Sequence, residues 1–193
     1  MKTQRSIKSF AVVMLASLLF VSCKSNSKED KASEKKGMGQ NIGDVFKLEN
    51  ILDSAGNNVK LDFTKSDVTI IDFWSNECPP CISELNQFGS ILANKETMVS
   101  VISISLNQPW AWKESRVNHK GKFAFFEKGL PNWSHYVLQT TEDRALQNSI
   151  STDRLQELEK TYNVSFFPAY FVVDKNGKIL QRPESAVEYI IQL

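Results

Sequence analysis

Ile71-Asp72-Phe73-Trp74-Ser75-Asn76-Glu77-Cys78-Pro79-Pro80-Cys81-Ile82-Ser83-Glu84 leads from an apolar run through a turn into a helical pattern, and it carries two thiols three residues apart. In the first turn of a helix, residues i and i+3 share a face, so Cys78 and Cys81 can close a disulfide with little backbone movement. The helix N-terminus also offers unpaired N–H groups and a partial positive charge. Both favour thiolate over thiol at Cys78, and the thiolate is the nucleophile. Pro79 and Pro80 suit a first turn, where a missing N–H leaves nothing unpaired. The Cys81 N–H remains, and it is the donor best placed to meet the Cys78 sulfur. Such a pair can cycle between dithiol and disulfide.

A CxxC is also half of a zinc site, but the usual zinc patterns need a second such pair or two closely spaced histidines. The chain has three cysteines, and His119 and His135 do not stand at ligand spacing. Nothing in the residues calls for a metal or an organic cofactor. An inert structural bridge is the other alternative, and a loop this short gains little chain entropy from closure.

The third cysteine lies near the N-terminus. Lys2, Arg5 and Lys8 precede Phe10 to Val21, twelve residues broken only by Ser17. That run is shorter than the roughly 20 apolar residues of a membrane span and fits the apolar core of an export signal. The Val21-Ser22-Cys23 that follows resembles a bacterial lipobox, with Phe20 where that motif more often has leucine. The resemblance implies cleavage before Cys23 and lipid attachment to its sulfur. The alternative is an ordinary signal peptide that leaves Cys23 as a spare thiol. With Cys23 lipidated, the CxxC pair is all that remains, which suits a redox worker better than a stapled scaffold. Residues 24–40 hold no aromatic or branched apolar side chain and read as a tether. The expected organisation is a lipoprotein signal peptide over 1–22, a flexible tether over 23–40 and one domain over 41–193.

The formal charge is +1, and removing residues 1–22 takes away three positive charges and no negative one, leaving −2. A near-neutral chain argues against a nucleic-acid binder, which should show a basic stripe.

Within the domain, strand and helix patterns alternate. Val45 to Leu48 and Val59 to Leu61 flank the turn signal Asp53 to Asn58 and suggest a hairpin. Val68 to Trp74 is a continuous apolar run with one acid in it, the mark of a strand buried on both faces, and Met98 to Leu106 reads as a second buried strand. Cys81, Leu85, Phe88 and Leu92 recur at helical spacing. Trp110 to Asn118 reads as a short helix, and Asp153 to Tyr162 places Leu155, Leu158 and Tyr162 on one helical face. Ala169 to Val173 is a third strand. Asp174 to Gly177 is a turn, Lys178 to Leu180 the return strand, and Glu184 to Leu193 a closing helix. Gly121 to Ile150 has no clear period.

The order β-α-β-α-β-β-α, with CxxC after its first strand, resembles the thioredoxin fold. Three stretches carry the resemblance: Val68 to Glu84, Tyr162 to Asp174 with its Phe167-Pro168, and Lys175 to Ile179. The export pattern, the N-terminal hairpin and the long middle segment resemble the TlpA/ResA-like branch, membrane-tethered thiol–disulfide oxidoreductases in lipoprotein form. The resemblance implies an α/β fold: a thioredoxin-like three-layer α/β/α sandwich with an added N-terminal β-hairpin and a long insertion before the last helix–strand unit. It covers most of residues 41–193 and is vague between about 107 and 150.

The resemblance also implies roles. Cys78 matches the attacking thiol and Cys81 the resolving thiol. Pro168 matches the proline that is cis in this fold and lies against the CxxC. Phe167, before it, matches the residue that presents backbone groups to substrate; relatives often carry threonine or valine there, so an aromatic points to an apolar partner. Phe166 reads as core. Trp74, Pro79 and Pro80 complete the expected substrate face. Asp72 matches a buried aspartate and Glu84 a glutamate near the thiols; both are candidates for taking the Cys81 proton.

Glu77 departs from the family, which usually carries tryptophan before the first cysteine. A carboxylate there opposes the Cys78 thiolate. With no Lys or Arg between Asp72 and Gln87, it points to a couple that donates electrons. Trp110, Trp112, Trp133, Phe123, Phe125, Phe126 and Tyr136 gather in the middle segment and read as core packing, with a client-docking surface as the alternative.

The expected function is reduction of disulfides in exported client proteins. The protein would be lipid-anchored in a bacterial cell envelope, would face the periplasm and would be recharged by a membrane dithiol donor. The same thiols could serve an oxidase or isomerase, or hold a soft ion such as Cu(I) as a copper chaperone. A peroxidase of the peroxiredoxin type needs Ser or Thr three residues before its cysteine and Pro seven before. Ser75 meets the first requirement and Ile71 fails the second.

Overall fold

The structure is a computed structural model that describes residues 41–140, 150 and 152–193. The expected signal peptide and the whole of the expected tether, Cys23 included, lie outside the described residues.

Seven strands form one sheet: β1 (Ile51–Leu52), β2 (Asn58–Val59), β3 (Val68–Trp74), β4 (Val99–Ser105), β5 (Trp133–Leu138), β6 (Ala169–Asp174) and β7 (Ile179–Gln181). Their order across the sheet is β2-β1-β5-β4-β3-β6-β7. β3, β4 and β5 run parallel, and β6 runs antiparallel to β3. β3 and β4, the two runs expected to be buried strands, lie at the centre of the sheet, where both of their faces are covered.

Alternation along β3 sorts its side chains between two cores. Ile70 and Trp74 face a core shared with Cys81, Leu85 and Phe88 of α1 (Pro79–Ile91) and with Val187 and Ile190 of α4 (Ala186–Gln192). Trp112 of α2 (Pro109–Val117) joins that layer. Ile71 and Phe73 face the opposite core, with Leu158 and Tyr162 of α3 (Thr152–Tyr162). This is the three-layer α/β/α sandwich, and Asp72, between Ile71 and Phe73 on the chain, necessarily points to the α1 side.

The hairpin differs from expectation. Ile51 pairs with Val59 and Leu52 with Asn58, so the first strand is Ile51–Leu52 and not Val45 to Leu48. The Asp53 carboxylate accepts from the Ala55 and Asn57 N–H groups at 2.9 Å each, which makes a tight turn, and the residues directly flanking a tight turn are the ones that pair. Val45 bridges Lys178 instead, and Phe46 and Leu48 are buried in the α3-side core.

The middle segment holds a 3₁₀ run, Gly121–Lys128, and the unforeseen strand β5. A 3₁₀ run repeats every three residues and leaves no α-helical period to read. Phe125 is buried at its centre, edge-on to Trp74 and stacked near Trp133. Trp112, Phe125 and Trp133 are therefore core, while Trp110 and Phe123 are half-buried. No helix among the described residues is long and apolar enough to cross a membrane.

Candidate active site

Cys78 is the N-cap of α1 and is bonded to Cys81, with their Cα atoms 5.3 Å apart. Pro79 and Pro80 occupy the first helical positions and are exposed. The Cys81 N–H points at Cys78 Sγ, 3.3 Å away. Cys78 is 8% exposed and Cys81 1%. Cys78 is thus the less covered of the two.

Phe167–Pro168 is a cis peptide bond at the start of β6. β6 pairs with β3 in the register Phe73 to Ala169, which brings Pro168 to the end of the sheet where the cysteine loop leaves β3. Phe167 is half-buried and packs against both cores. Phe166, expected in the core, is 74% exposed. It sits with Phe167 and Pro168 in the bend that leads into β6, and there its side chain faces outward. With Pro168, Tyr170, Arg182 and Pro183 it lines an open cavity of about 360 Å³. Trp74, expected on the substrate face, is fully buried. Its ring lies edge-on to Phe125 at 5.5 Å and against Phe126 at 6.0 Å, so its place is under the site and not on its surface.

Asp72 is 1% exposed. Burial pushes its carboxyl up to about 8; the Ser103 hydroxyl pulls it back and the charge of Glu84 adds to the rise. Glu84 is half-buried. Its Oε2 accepts from the Tyr170 hydroxyl at 2.8 Å and from the Ala186 and Val187 N–H groups at 3.2 and 3.4 Å. Glu84 thus ties α1 to β6 and to the start of α4. Tyr170 has no sequence signal that marks it as a site residue. Its phenol is raised by burial first, then by the charges of Asp72 and Glu84 and by its bond to Glu84.

Glu77 is exposed, and its Oε2 accepts from Asn107 Nδ2 at 2.9 Å. The cation missing from the local sequence arrives from the 3₁₀ run: Lys122 Nζ donates to the Asn76 carbonyl at 3.3 Å. The Lys122 carbonyl accepts from Asn86 of α1 at 3.0 Å, which ties the 3₁₀ run to the motif helix. Neither Asn107 nor Lys122 carries a sequence signal, because both reach the loop through distant chain.

His135 lies against Trp133 and Phe126 in the aromatic core. Burial, with the Arg116 charge second, holds its imidazole down at about 3, so it stays neutral. His119 faces Glu127 at 3.1 Å. No group of three or more metal-ligating side chains occurs among the described residues.

Residues 38–182 match the model of the AhpC/TSA family. The chain is 22% identical over 133 residues to proteins named thiol-disulfide oxidoreductase ResA in Bacillus thuringiensis (strain Al Hakam) and Bacillus anthracis. Each match covers 68% of this chain and 63% of the relative, so the chain spans less than two thirds of those proteins. Among solved structures, the thioredoxin domain of a thiol-disulfide oxidoreductase from Bacteroides vulgatus is similar at TM-score 0.57 and 20% identity, over 80% of this chain and 96% of that one. A thiol:disulfide interchange protein from Bacteroides sp. is similar at TM-score 0.56 and 19% identity, over 79% and 88%. At these identities the likeness establishes the thioredoxin-like fold.

Proposed function

This chain belongs to the AhpC/TSA family, and on that premise we propose that it is a thiol–disulfide oxidoreductase whose reacting atoms are the sulfurs of Cys78 and Cys81. The observation that carries the reading is the Cys78–Cys81 bond at the tip of α1, with Cys78 less covered than Cys81. The activity named for the Bacillus relatives supports it.

In the reducing direction, the Cys78 thiolate attacks one sulfur of a client disulfide. The client S–S bond breaks, a Cys78–client bond forms, and the second client sulfur leaves as a thiolate that takes a proton from water. Cys81 then gives up its proton and attacks Cys78 Sγ. The mixed disulfide breaks, the Cys78–Cys81 bond forms, and the first client sulfur leaves. The client gains two electrons and two protons, and the protein's dithiol loses them. Asp72 is the proton acceptor this arrangement favours. Its carboxyl, pushed up to about 8, lies close to the usual range of a thiol, so the proton can pass either way.

We place the work in the bacterial cell envelope, facing the periplasm, with lipid on Cys23 as the anchor and an upstream membrane dithiol as the electron source. The basic and apolar N-terminus supports the export and the anchor, and Glu77 beside Cys78 supports the reducing direction.

Insulin disulfide reduction with the wild type, Cys78→Ser and Cys81→Ser tests the reading. Both variants should lose turnover, and Cys81→Ser should accumulate a mixed disulfide through Cys78. Turnover surviving removal of both thiols, or hydrogen peroxide consumed in preference to disulfides, refutes it.

A further inference from the structure

We infer that Asn107 is a positioning residue for the redox couple: it pins the Glu77 carboxylate beside Cys78 and so makes that charge count against the thiolate. The inference rests on the thiol–disulfide reading above.

Asn107 follows β4 directly. Because β4 runs parallel to β3, with Trp74 opposite Ser105 and the Leu106 N–H bonded to the Trp74 carbonyl at 2.9 Å, Asn107 emerges beside the loop that leaves β3 for the cysteines. Its side chain is fully buried, and both ends of the amide engage that region. Oδ1 accepts from the Asn76 N–H at 2.9 Å and from the Ser105 hydroxyl at 3.0 Å. Nδ2 donates to Glu77 Oε2 at 2.9 Å. The Asn107 N–H in turn donates to Ser105 Oγ at 3.2 Å, and its backbone bridges Ile150. A side-chain amide supplies an acceptor to the Asn76 backbone and a donor to a carboxylate at once.

The consequence is electrostatic. A glutamate free to sample solvent exerts a screened, averaged field. One held by a buried, fully bonded amide exerts a fixed field on its neighbour. That neighbour is Cys78, whose sulfur is negative only in the reduced form. A pinned carboxylate therefore destabilises the dithiol state relative to the disulfide and makes the couple more reducing. Releasing it should have the same sign as neutralising it.

The test is the glutathione equilibrium of the full-length chain, read by thiol trapping, with thermal midpoints recorded alongside. Glu77→Gln should shift the equilibrium about fivefold toward the dithiol, which is about 20 mV for a two-electron couple. Asn107→Ala should shift it the same way by about threefold, and the same substitution in the Glu77→Gln background should add nothing. Glu77→Asp keeps the charge on a stem too short to reach Asn107, at an exposed position that leaves folding intact. It too should shift toward the dithiol, and it decides the question if Asn107→Ala fails to fold. A Glu77→Asp protein at the wild-type position, or Asn107→Ala and Glu77→Gln shifts that simply add, overturns the inference while leaving the thiol–disulfide reading standing. A wild-type pair that never exchanges with glutathione overturns both.

Discussion

Asp72 on β3 stands directly opposite Tyr170 on β6, so a buried carboxyl and a buried phenol share the sheet face that lies under Cys81. Residues opposite one another in an antiparallel pair point the same way, and the Tyr170 hydroxyl carries the connection on to Glu84 in α1. Polar groups from β3, β6 and α1 thus form a line through a largely apolar layer.

Stability should depend on pH through Asp72. Its carboxyl holds its proton up to about 8 in the folded protein, whereas an unfolded aspartate loses it near 4. Between those limits the folded state binds more protons, so Asp72 costs stability progressively as pH rises from about 4 to 8 and no further above. Asp72→Asn should remove this loss, with a gain on the order of 5 kcal/mol at pH 8.5 and little at pH 4. Urea unfolding of the disulfide form at several pH values checks it; a gain independent of pH contradicts it.

Tyr170→Phe removes the hydroxyl that reaches Glu84. It should destabilise the protein by about 1.5–3 kcal/mol, the range for a hydrogen bond to a charged group. A double-mutant cycle with Glu84→Gln should show coupling between the two positions, measured by chemical denaturation at pH 7. Purely additive losses would mean that the two groups act separately.

Lys122 brings a positive charge to the loop that carries Glu77, through its bond to the Asn76 carbonyl. Lys122→Met should weaken the Cys78 thiolate and shift the glutathione equilibrium toward the disulfide by about two- to threefold, or about 10–15 mV. The shift should shrink in 1 M salt, where the screening length falls to about 3 Å. A salt-independent change would trace to packing on Phe123, over which the ammonium also lies.

Phe125→Ala should cost about 3–5 kcal/mol, the range for emptying an aromatic core position. Phe125 is 1% exposed and touches Trp74, Phe126, Trp133 and His135. A loss below about 1 kcal/mol in thermal unfolding would contradict the assignment of the 3₁₀ run to the core.

Much of the fold could be read along the chain. β3, β4 and β6 announce themselves because strands covered on both faces are rich in branched and aromatic apolar side chains. The Asp53 turn was legible as well, but its strand partner was not, since several apolar residues near a turn compete for the pairing and geometry at the turn decides. β5 escaped notice because Trp133-Ser134-His135-Tyr136-Val137-Leu138 mixes polar and apolar side chains without strict alternation. Phe166 reads as core because it is apolar, whereas the bend before β6 turns it outward.

What the residues determine by themselves is the short-range chemistry. Helix geometry alone puts Cys78 and Cys81 within bonding reach, and proline chemistry alone makes the first turn tolerate Pro79 and Pro80. The neighbours that tune those sulfurs come from elsewhere: Asn107 from the end of β4, Lys122 from a 3₁₀ run, Tyr170 from β6. Their distance along the chain from Cys78 carries no information about distance in space, because the order of strands in a sheet follows from packing between layers. The spacing of two thiols is a local fact, and the electric field around them is a tertiary one.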